Sequence, residues 1–399
     1  MKKILFVNLL PINPLLGGIE RITQLLTLEL KKRGYDIMYL AFFHSDSVNE
    51  KDAPQYYFPH TDIYSKENVS FYNDFITQNQ IDVIINQVGY LEFSYLFLNI
   101  NVDNRKHVKI ISVCHNKPLL DYRVLSKYSI LPFPDEKLTV GKMGAIPIKI
   151  GLFPIWWWWR QQKKRKQLNR IYNFVLSHSD IFVVYTSGYI SEIINILGKD
   201  IDKNKFAVIQ NPNTYTVSQY SNRKRQKQIL FVGRFDLRQK RPDLLLKIWR
   251  KLYKQYPDWE LIFLGSGSKK MKNFLKEYVS KYHLERVTFK GTTDPLPYYQ
   301  QASILALSSI YEGFPMVVTE AMANGVVPIL FDSFDAAKEV VTPGNTGELV
   351  RPFDTNEFTQ KLSKLMDNDD ERKSMSVNAI EYVKKYDIQH IIEKWIQLF

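Results

Sequence analysis

Short aliphatic runs alternate with helix-patterned stretches through the chain, and the alternation runs twice. This constrains the fold more than any other feature. Short β-branched runs separated by helical spacers build parallel sheets, because each parallel strand needs a crossover long enough for a helix. The first series reads as strand Lys3–Asn8, then a helix over Ile19–Arg33 with Ile22, Leu25, Leu26 and Leu30 on one face. Strands follow at Asp36–Phe42, Val83–Asn86, Val108–Val113, Ile181–Tyr185 and Phe206–Ile209. Asn211-Pro212-Asn213 breaks the pattern, and Ser221–Lys227 reads as an exposed basic connector. The second series has strand Ile229–Gly233, helix Pro242–Tyr256, strand Glu260–Leu264, helix Lys269–Lys281 and strand Val287–Phe289. Strand Ile304–Leu307, a further helix and strand Val327–Leu330 complete it. The expected class is α/β, with two doubly wound domains facing across a cleft and a ligand at the strands' C-terminal ends. The expected bounds are 1–214 and 225–387, with a terminal helix near 388–399 packing back on the first domain.

The 399 residues suffice for two domains, and 45% apolar content fits packed cores. One cysteine, Cys114, excludes an internal disulfide and fits a reducing, cytoplasmic setting. The run Leu5–Pro11 is too short for a secretory signal and reads as the first strand. No apolar run reaches the ~18–20 residues of a spanning helix. The net charge is +13, and its placement is uneven: fifteen Lys/Arg stand against three acidic residues between Arg105 and Arg170. A localised basic segment suggests an anionic surface or substrate rather than nucleic acid.

Tyr311–Ala321 places Glu312 and Glu320 eight positions apart around a helix start, behind the strand Ile304–Leu307. Gly313 is expected to end the strand and turn the backbone sharply, and Pro315 to open the helix. Free N–H groups near Met316 and Val317 would face an anion, which the helix dipole favours. One carboxylate could reach hydroxyls near a reacting centre and the other hydroxyls further along. Gly17 and Gly18 follow the first strand, where glycine lets a backbone approach a phosphate. They do not form G-x-G-x-x-G, so no dinucleotide site is expected. Arg234 and Lys240 follow the first strand of the second half, where a planar fork and a point charge could hold a diphosphate. His115 ends a strand, and Cys114 beside it points to the opposite face as a core residue. The two D-x-D triplets, Asp200–Asp202 and Asp367–Asp369, read as turns, so no metal is expected. Asp354 is expected to cap a helix.

Glu312-Gly-Phe-Pro with Glu320 resembles the E-x7-E signature of retaining GT-B glycosyltransferases of the family 4, or group 1, type. That resemblance covers nearly the whole chain; it is strong from Ile229 to Asp354 and thin from Lys117 to Lys166. It implies two Rossmann-like domains and transfer of a hexose or N-acetylhexosamine from a nucleoside-diphosphate sugar, UDP favoured over GDP. It implies that Arg234, Lys240, Gly17, Gly18, Gly313, Phe314, Pro315, Met316, Val317 and Glu320 bind the donor. His115 and Glu312 would act at the donor sugar, with Glu320 on the ribose. The leaving phosphate would help deprotonate the acceptor, without cofactor or metal.

One region departs from the family pattern. Trp156, Trp157, Trp158 and Trp159 precede Lys163, Lys164, Arg165 and Lys166. Tryptophan favours membrane interfaces and a following basic cluster favours anionic headgroups, so peripheral attachment to the inner face of the plasma membrane is expected. Such attachment suits a glycan acceptor carried on a polyprenyl lipid, as in capsule or lipopolysaccharide assembly. Two alternatives remain open: a non-catalytic membrane- or nucleic-acid-binding protein of the same fold, and an epimerase or phosphorylase built on it.

Overall fold

The computed structural model describes residues 2–14, 17–45, 52–120, 153–198, 201–217 and 225–399; the side chains of 153–157 lie outside that description. The chain forms two compact units. The first runs from the N-terminus to Leu119 and adds Lys164–Thr214 and Tyr386–Phe399; the second contains Tyr215–Lys385.

The first unit is built on strands β1 (Lys3–Asn8), β2 (Asp36–Ala41), β3 (Gln55–Tyr57), β4 (Val83–Asn86), β5 (Lys109–Val113), β6 (Ile181–Val184) and β7 (Phe206–Val208). They lie in the order β3-β2-β1-β4-β5-β6-β7, and every pair is parallel. Ile4 through Val7 and Val83 through Ile85 are all buried, because helices cover both faces of a parallel sheet. Helix Gly18–Lys32 buries Ile22, Leu26 and Leu30 at helical spacing. The terminal helix Ile388–Ile396 packs against it and buries Ile391, Ile392 and Trp395. Each such apolar side chain contributes roughly 1.5–3 kcal/mol on burial. Arg33 fixes the join by donating to Gln389 at 2.6 Å and to Glu393.

The second unit contains β8 (Gln226–Val232), β9 (Glu260–Leu264), β10 (Val287–Gly291), β11 (Ala302–Leu307), β12 (Val327–Phe331) and β13 (Glu348–Val350). Their order is β10-β9-β8-β11-β12-β13, again all parallel. The rings of Phe263 and Phe289 stack at 5.0 Å, and the indole of Trp249 donates to the Glu285 carbonyl at 3.0 Å. Asp354 caps helix Thr355–Asp367 by accepting from the N–H groups of Asn356 and Glu357. Asp202 caps a short 3₁₀ turn, and Asp369 pairs with Arg372 and Lys373.

Three features depart from the sequence reading. Strands β3 and β13 are three residues each, at the first sheet's β2 side and the second sheet's outer edge, too short to show a period. The end of the connector is strand rather than loop: Gln226 and Lys227, though exposed, already lie in β8. Arg225 donates to the carbonyls of Tyr299, Ala302 and Asn324, anchoring the start of the second unit on its own core.

Candidate functional site

In both sheets the strand order reverses beside the first strand of the unit, between β1 and β4 and between β8 and β11. At such a reversal the loops leave in opposite directions and open a crevice at the strands' carboxyl ends. The loop after β11 carries Glu312, and the loop after β8 carries Arg234 and Lys240. In the first unit Gly17 ends the loop after β1 and Gly18 opens the helix that follows.

The second unit gathers its motif residues into one network. Gly233 has φ 154°, outside the range a side chain tolerates, and it turns the chain out of β8. A Cβ on Gly265 would lie 2.0 Å from the Gly233 carbonyl, so these two loops touch through backbone alone. Lys240 donates to Glu312 Oε1 at 2.6 Å, with both side chains largely buried. Gln239 donates to Glu312 Oε2 and to the Tyr311 carbonyl, each at 3.3 Å. The exposed Arg234 donates to Gln239 Oε1 at 3.3 Å. Arg234, Gln239, Glu312 and Lys240 therefore form one chain of charge-assisted bonds, in which both oxygens of Glu312 are engaged. An ammonium has three donors, so the bond to Glu312 does not exhaust Lys240. The sequence reading passed over Gln239; its place between the two cations was the available signal.

Glu320 lies in helix Met316–Ala323 and is buried. The hydroxyl of Tyr299 donates to Glu320 Oε2 at 3.2 Å and approaches the Val317 carbonyl at 3.4 Å. No sequence signal ties Tyr299 to Glu320, because the bond spans two separate elements. The helix closes at Asn324, where Gly325 adopts φ 73°. Local details of this loop correct the sequence reading. Strand β11 ends at Leu307, so Gly313 sits inside the loop and does not end the strand. Pro315 is the cap residue, and the helix opens at Met316. The Met316 N–H is not free for an anion, since it donates to the Phe314 carbonyl at 2.9 Å in a tight turn.

In the first unit His115 follows β5, with Nδ1 against the Tyr185 hydroxyl and Nε2 against Gln87 Oε1. Gln87 Nε2 donates to Thr23 Oγ1 at 3.1 Å, which turns its carbonyl oxygen toward His115. The imidazole then donates from Nε2 and accepts at Nδ1. Burial lowers its pKa to about 3, so the ring is neutral at pH 7 and offers no positive charge to a diphosphate. Gly17, extended at φ −176°, caps helix Gly18–Lys32. A Cβ on Gly17 would lie 2.5 Å from Glu20 Oε2, so a carboxylate already covers the loop expected to cradle phosphate. Burial raises the pKa of that carboxyl group. Cys114 is buried, and burial pushes its thiol up to about 12, in keeping with an inert core residue.

The basic segment falls on helix Phe153–His178. Trp158 and Trp159 are 56% and 55% exposed, and Lys163 stands over the Trp159 ring at 5.4 Å. Trp156 and Trp157 have side chains outside the described residues. The four clustered cations do not act alike. Lys163 and Lys166 are exposed, while Lys164 is half-buried and donates to Gln167, and Arg165 donates back to Asn195. At ~100° per residue, Arg160, Lys163, Lys166 and Arg170 fall within about 120° of arc that also includes Trp159. No helix among the described residues is long and apolar enough to cross a membrane.

Residues 216–382 match the family described as glycosyl transferases group 1. That stretch is nearly the whole of the second unit and contains the whole Arg234–Lys240–Glu312–Glu320 arrangement. An uncharacterized glycosyltransferase of Haemophilus influenzae is 34% identical over 195 residues, 48% of this chain and 54% of that protein. A Campylobacter jejuni alpha-1,4-N-acetyl-D-galactosaminyltransferase, named for a diNAcBac-PP-undecaprenol-linked glycan, is 28% identical over 180 residues, 45% of this chain and 49% of that protein. The aligned part of the chain spans about half the length of these curated relatives. The Anabaena protein HepE, solved in complex with UDP, superposes with a TM-score of 0.72 at 15% identity, covering 100% of this chain and 99% of that one. The likeness extends through both units and identifies the fold as GT-B, two Rossmann-like domains.

Proposed function

We propose that this protein is a retaining glycosyltransferase that moves a hexose or N-acetylhexosamine from a nucleoside-diphosphate sugar to a glycan acceptor. The observation that carries the reading is the buried Lys240–Glu312 pair, joined through Gln239 to Arg234 at the second sheet's switch point. Arg234 and Lys240 offer fixed positive charge where a leaving diphosphate develops negative charge, so no divalent metal is needed. Gly313, Phe314, Pro315 and Val317 line the same loop and helix start, and Glu320 would receive the ribose hydroxyls.

In retaining hydrolases one carboxylate attacks the anomeric carbon. Here both oxygens of Glu312 are held by cations or amides, which suits a carboxylate that orients sugar hydroxyls. The acceptor hydroxyl would attack on the face the leaving phosphate departs from, with a phosphate oxygen taking its proton. The bond from anomeric carbon to phosphate oxygen breaks, the bond to the acceptor oxygen forms, and the nucleoside diphosphate leaves with the proton. His115, neutral and held by Gln87 and Tyr185, would present its ring edge to the donor sugar.

A lipid-linked acceptor in cell-surface glycan assembly fits the Campylobacter relative's name, and the exposed basic face beside Trp159 would hold the protein at an anionic bilayer. The test is nucleoside-diphosphate release from a panel of UDP- and GDP-sugars, with and without EDTA. Release from at least one donor that survives EDTA is expected. No release from any donor would favour a binding protein, and activity lost to EDTA but restored by Mg²⁺ would overturn the metal-independent mechanism.

A further inference from the structure

Tyr299 ends the short helix Leu296–Tyr299 and is fully buried, and a buried phenol needs a partner for its hydroxyl. It meets two acceptors on helix Met316–Ala323: Glu320 Oε2 at 3.2 Å and, one turn earlier, the Val317 carbonyl at 3.4 Å. A phenol has a single proton to give, and a charged acceptor holds it more strongly than a neutral one. The bond pins the end of a long side chain that otherwise samples many rotamers. Packing alone gives no reason for a carboxylate here. Val318, Ala321, Met322 and Ala323 of the same helix are buried, and burying a charge among apolar groups costs stability unless it is met.

Other contacts fix both ends of this bond. One guanidinium, that of Arg225, donates to the Tyr299 carbonyl at 3.3 Å and to the carbonyl of Asn324, where the helix of Glu320 ends. The Asn324 side chain donates to the Glu320 carbonyl at 2.9 Å. The backbones of the tyrosine and the glutamate are therefore tied together independently of the hydroxyl. The ring is held from its side by Tyr215, edge-on with centroids 6.1 Å apart. Tyr215 donates to Asp294 Oδ1 at 3.0 Å, and the same oxygen accepts the Leu296 N–H at 3.1 Å where the short helix opens. All of these residues belong to the second unit.

We propose that Tyr299 is a positioning residue for nucleotide recognition: it presets the Glu320 carboxylate for the ribose hydroxyls, with Tyr215 and Arg225 holding the tyrosine in place. This role rests on the reading of Glu320 as the ribose ligand. A carboxylate accepts at about four lone-pair sites on its two oxygens, so one phenol does not exhaust it. Ribose offers two adjacent hydroxyls as donors. A carboxylate that is already ordered takes them without losing rotamer freedom on binding, and that saving appears as affinity. Tyr299 acts through Glu320 and not on the nucleotide itself, so its effect depends on the ribose hydroxyls being there.

The experiment is calorimetry on the full chain with UDP and with 2′,3′-dideoxy-UDP, the corresponding GDP pair alongside, and a melting curve for each variant. Wild type should prefer the nucleotide that carries both hydroxyls, and Glu320→Ala should lose that preference. Tyr299→Phe keeps the ring and removes only the hydroxyl. It should bind UDP about fivefold more weakly, the scale of one hydrogen bond, and the dideoxy compound as wild type does. Tyr215→Ala keeps the hydroxyl and removes the ring beside it, which guards against a Tyr299 variant that does not fold. It should weaken UDP about threefold and again spare the dideoxy compound. A Tyr299→Phe variant that keeps the full preference would overturn the positioning role, as would one that weakens both nucleotides equally, the mark of a purely structural residue. Failure of the underlying reading looks different: wild type itself then binds the two nucleotides alike, or binds neither, and the role of Tyr299 falls with it.

Discussion

Glu312 and Glu320 are both buried, but by different kinds of partner. Glu312 faces an ammonium and an amide, Lys240 and Gln239, whereas Glu320 takes one hydroxyl from Tyr299. Glu320→Ala should therefore weaken UDP binding by at least tenfold, about 1.4 kcal/mol. Glu312→Gln should leave UDP binding within about threefold and cut transfer by on the order of 10²-fold, the scale of one lost preorganised contact. Calorimetry beside transfer assays reads both, and equal loss of UDP affinity in the two variants would end this division of roles. His115 makes a separate expectation. Its folded pKa, about 3, lies below the unfolded value near 6.5, so protons bind the unfolded chain more readily. Its contribution to stability is complete above pH ~6.5 and is lost as the pH falls toward 3. Wild type should lose more melting temperature between pH 7 and pH 4.5 than His115→Gln does; parallel curves would refute a buried neutral ring. The residue types at these positions were legible in the sequence because motif spacing names them. Their partners Gln87, Tyr185 and Tyr299 were not, because contacts between separate elements leave no local pattern.

Among the elements, strands with continuous burial were legible: β1, β4 and β9 carry the bounds expected for them, since runs such as Val83–Asn86 leave no polar face to blur their ends. Strands β3 and β13 have only three residues each, so neither length nor alternation could reveal them. Arg225 misled for another reason: a cation among other cations reads as solvated, and only the fold supplies the three carbonyls that accept from it. The basic helix Phe153–His178 divides in the same way. Lys164 and Arg165 are half-buried and bond to protein groups, whereas Arg160, Lys163, Lys166 and Arg170 are exposed along one stripe. Each cation near an anionic surface adds about 1 kcal/mol, screened by salt, and each interfacial Trp adds apolar burial. Wild type should co-sediment with phosphatidylglycerol vesicles at low salt and less at high salt. A variant carrying Trp158→Ser, Trp159→Ser, Lys163→Glu and Lys166→Glu should stay in the supernatant. If wild type also stays in the supernatant at low salt, this stripe does not serve lipid.

At the scale of the whole molecule, two sheets with separate cores mean that a single unfolding free energy is not a defined quantity for this chain. Ligands should act on the units separately, because a ligand stabilises only what it binds folded. The groups proposed for the nucleotide, Arg234, Lys240 and Glu320, all belong to the second unit, whereas Glu20 belongs to the first. At a concentration of 100 times its dissociation constant, UDP contributes about 2.7 kcal/mol to the unit that holds it. For a unit of this size that is a rise of roughly 5–10 °C. Scanning calorimetry of wild type should show one transition moving by this amount with UDP and the other holding still, and Glu320→Ala should abolish most of the shift. Glu20→Gln should keep it whole, since that carboxylate lies in the unit UDP leaves alone. If UDP moves neither transition, the second unit does not carry the nucleotide. If it moves the transition that Glu20→Gln perturbs, the nucleotide has been assigned to the wrong unit.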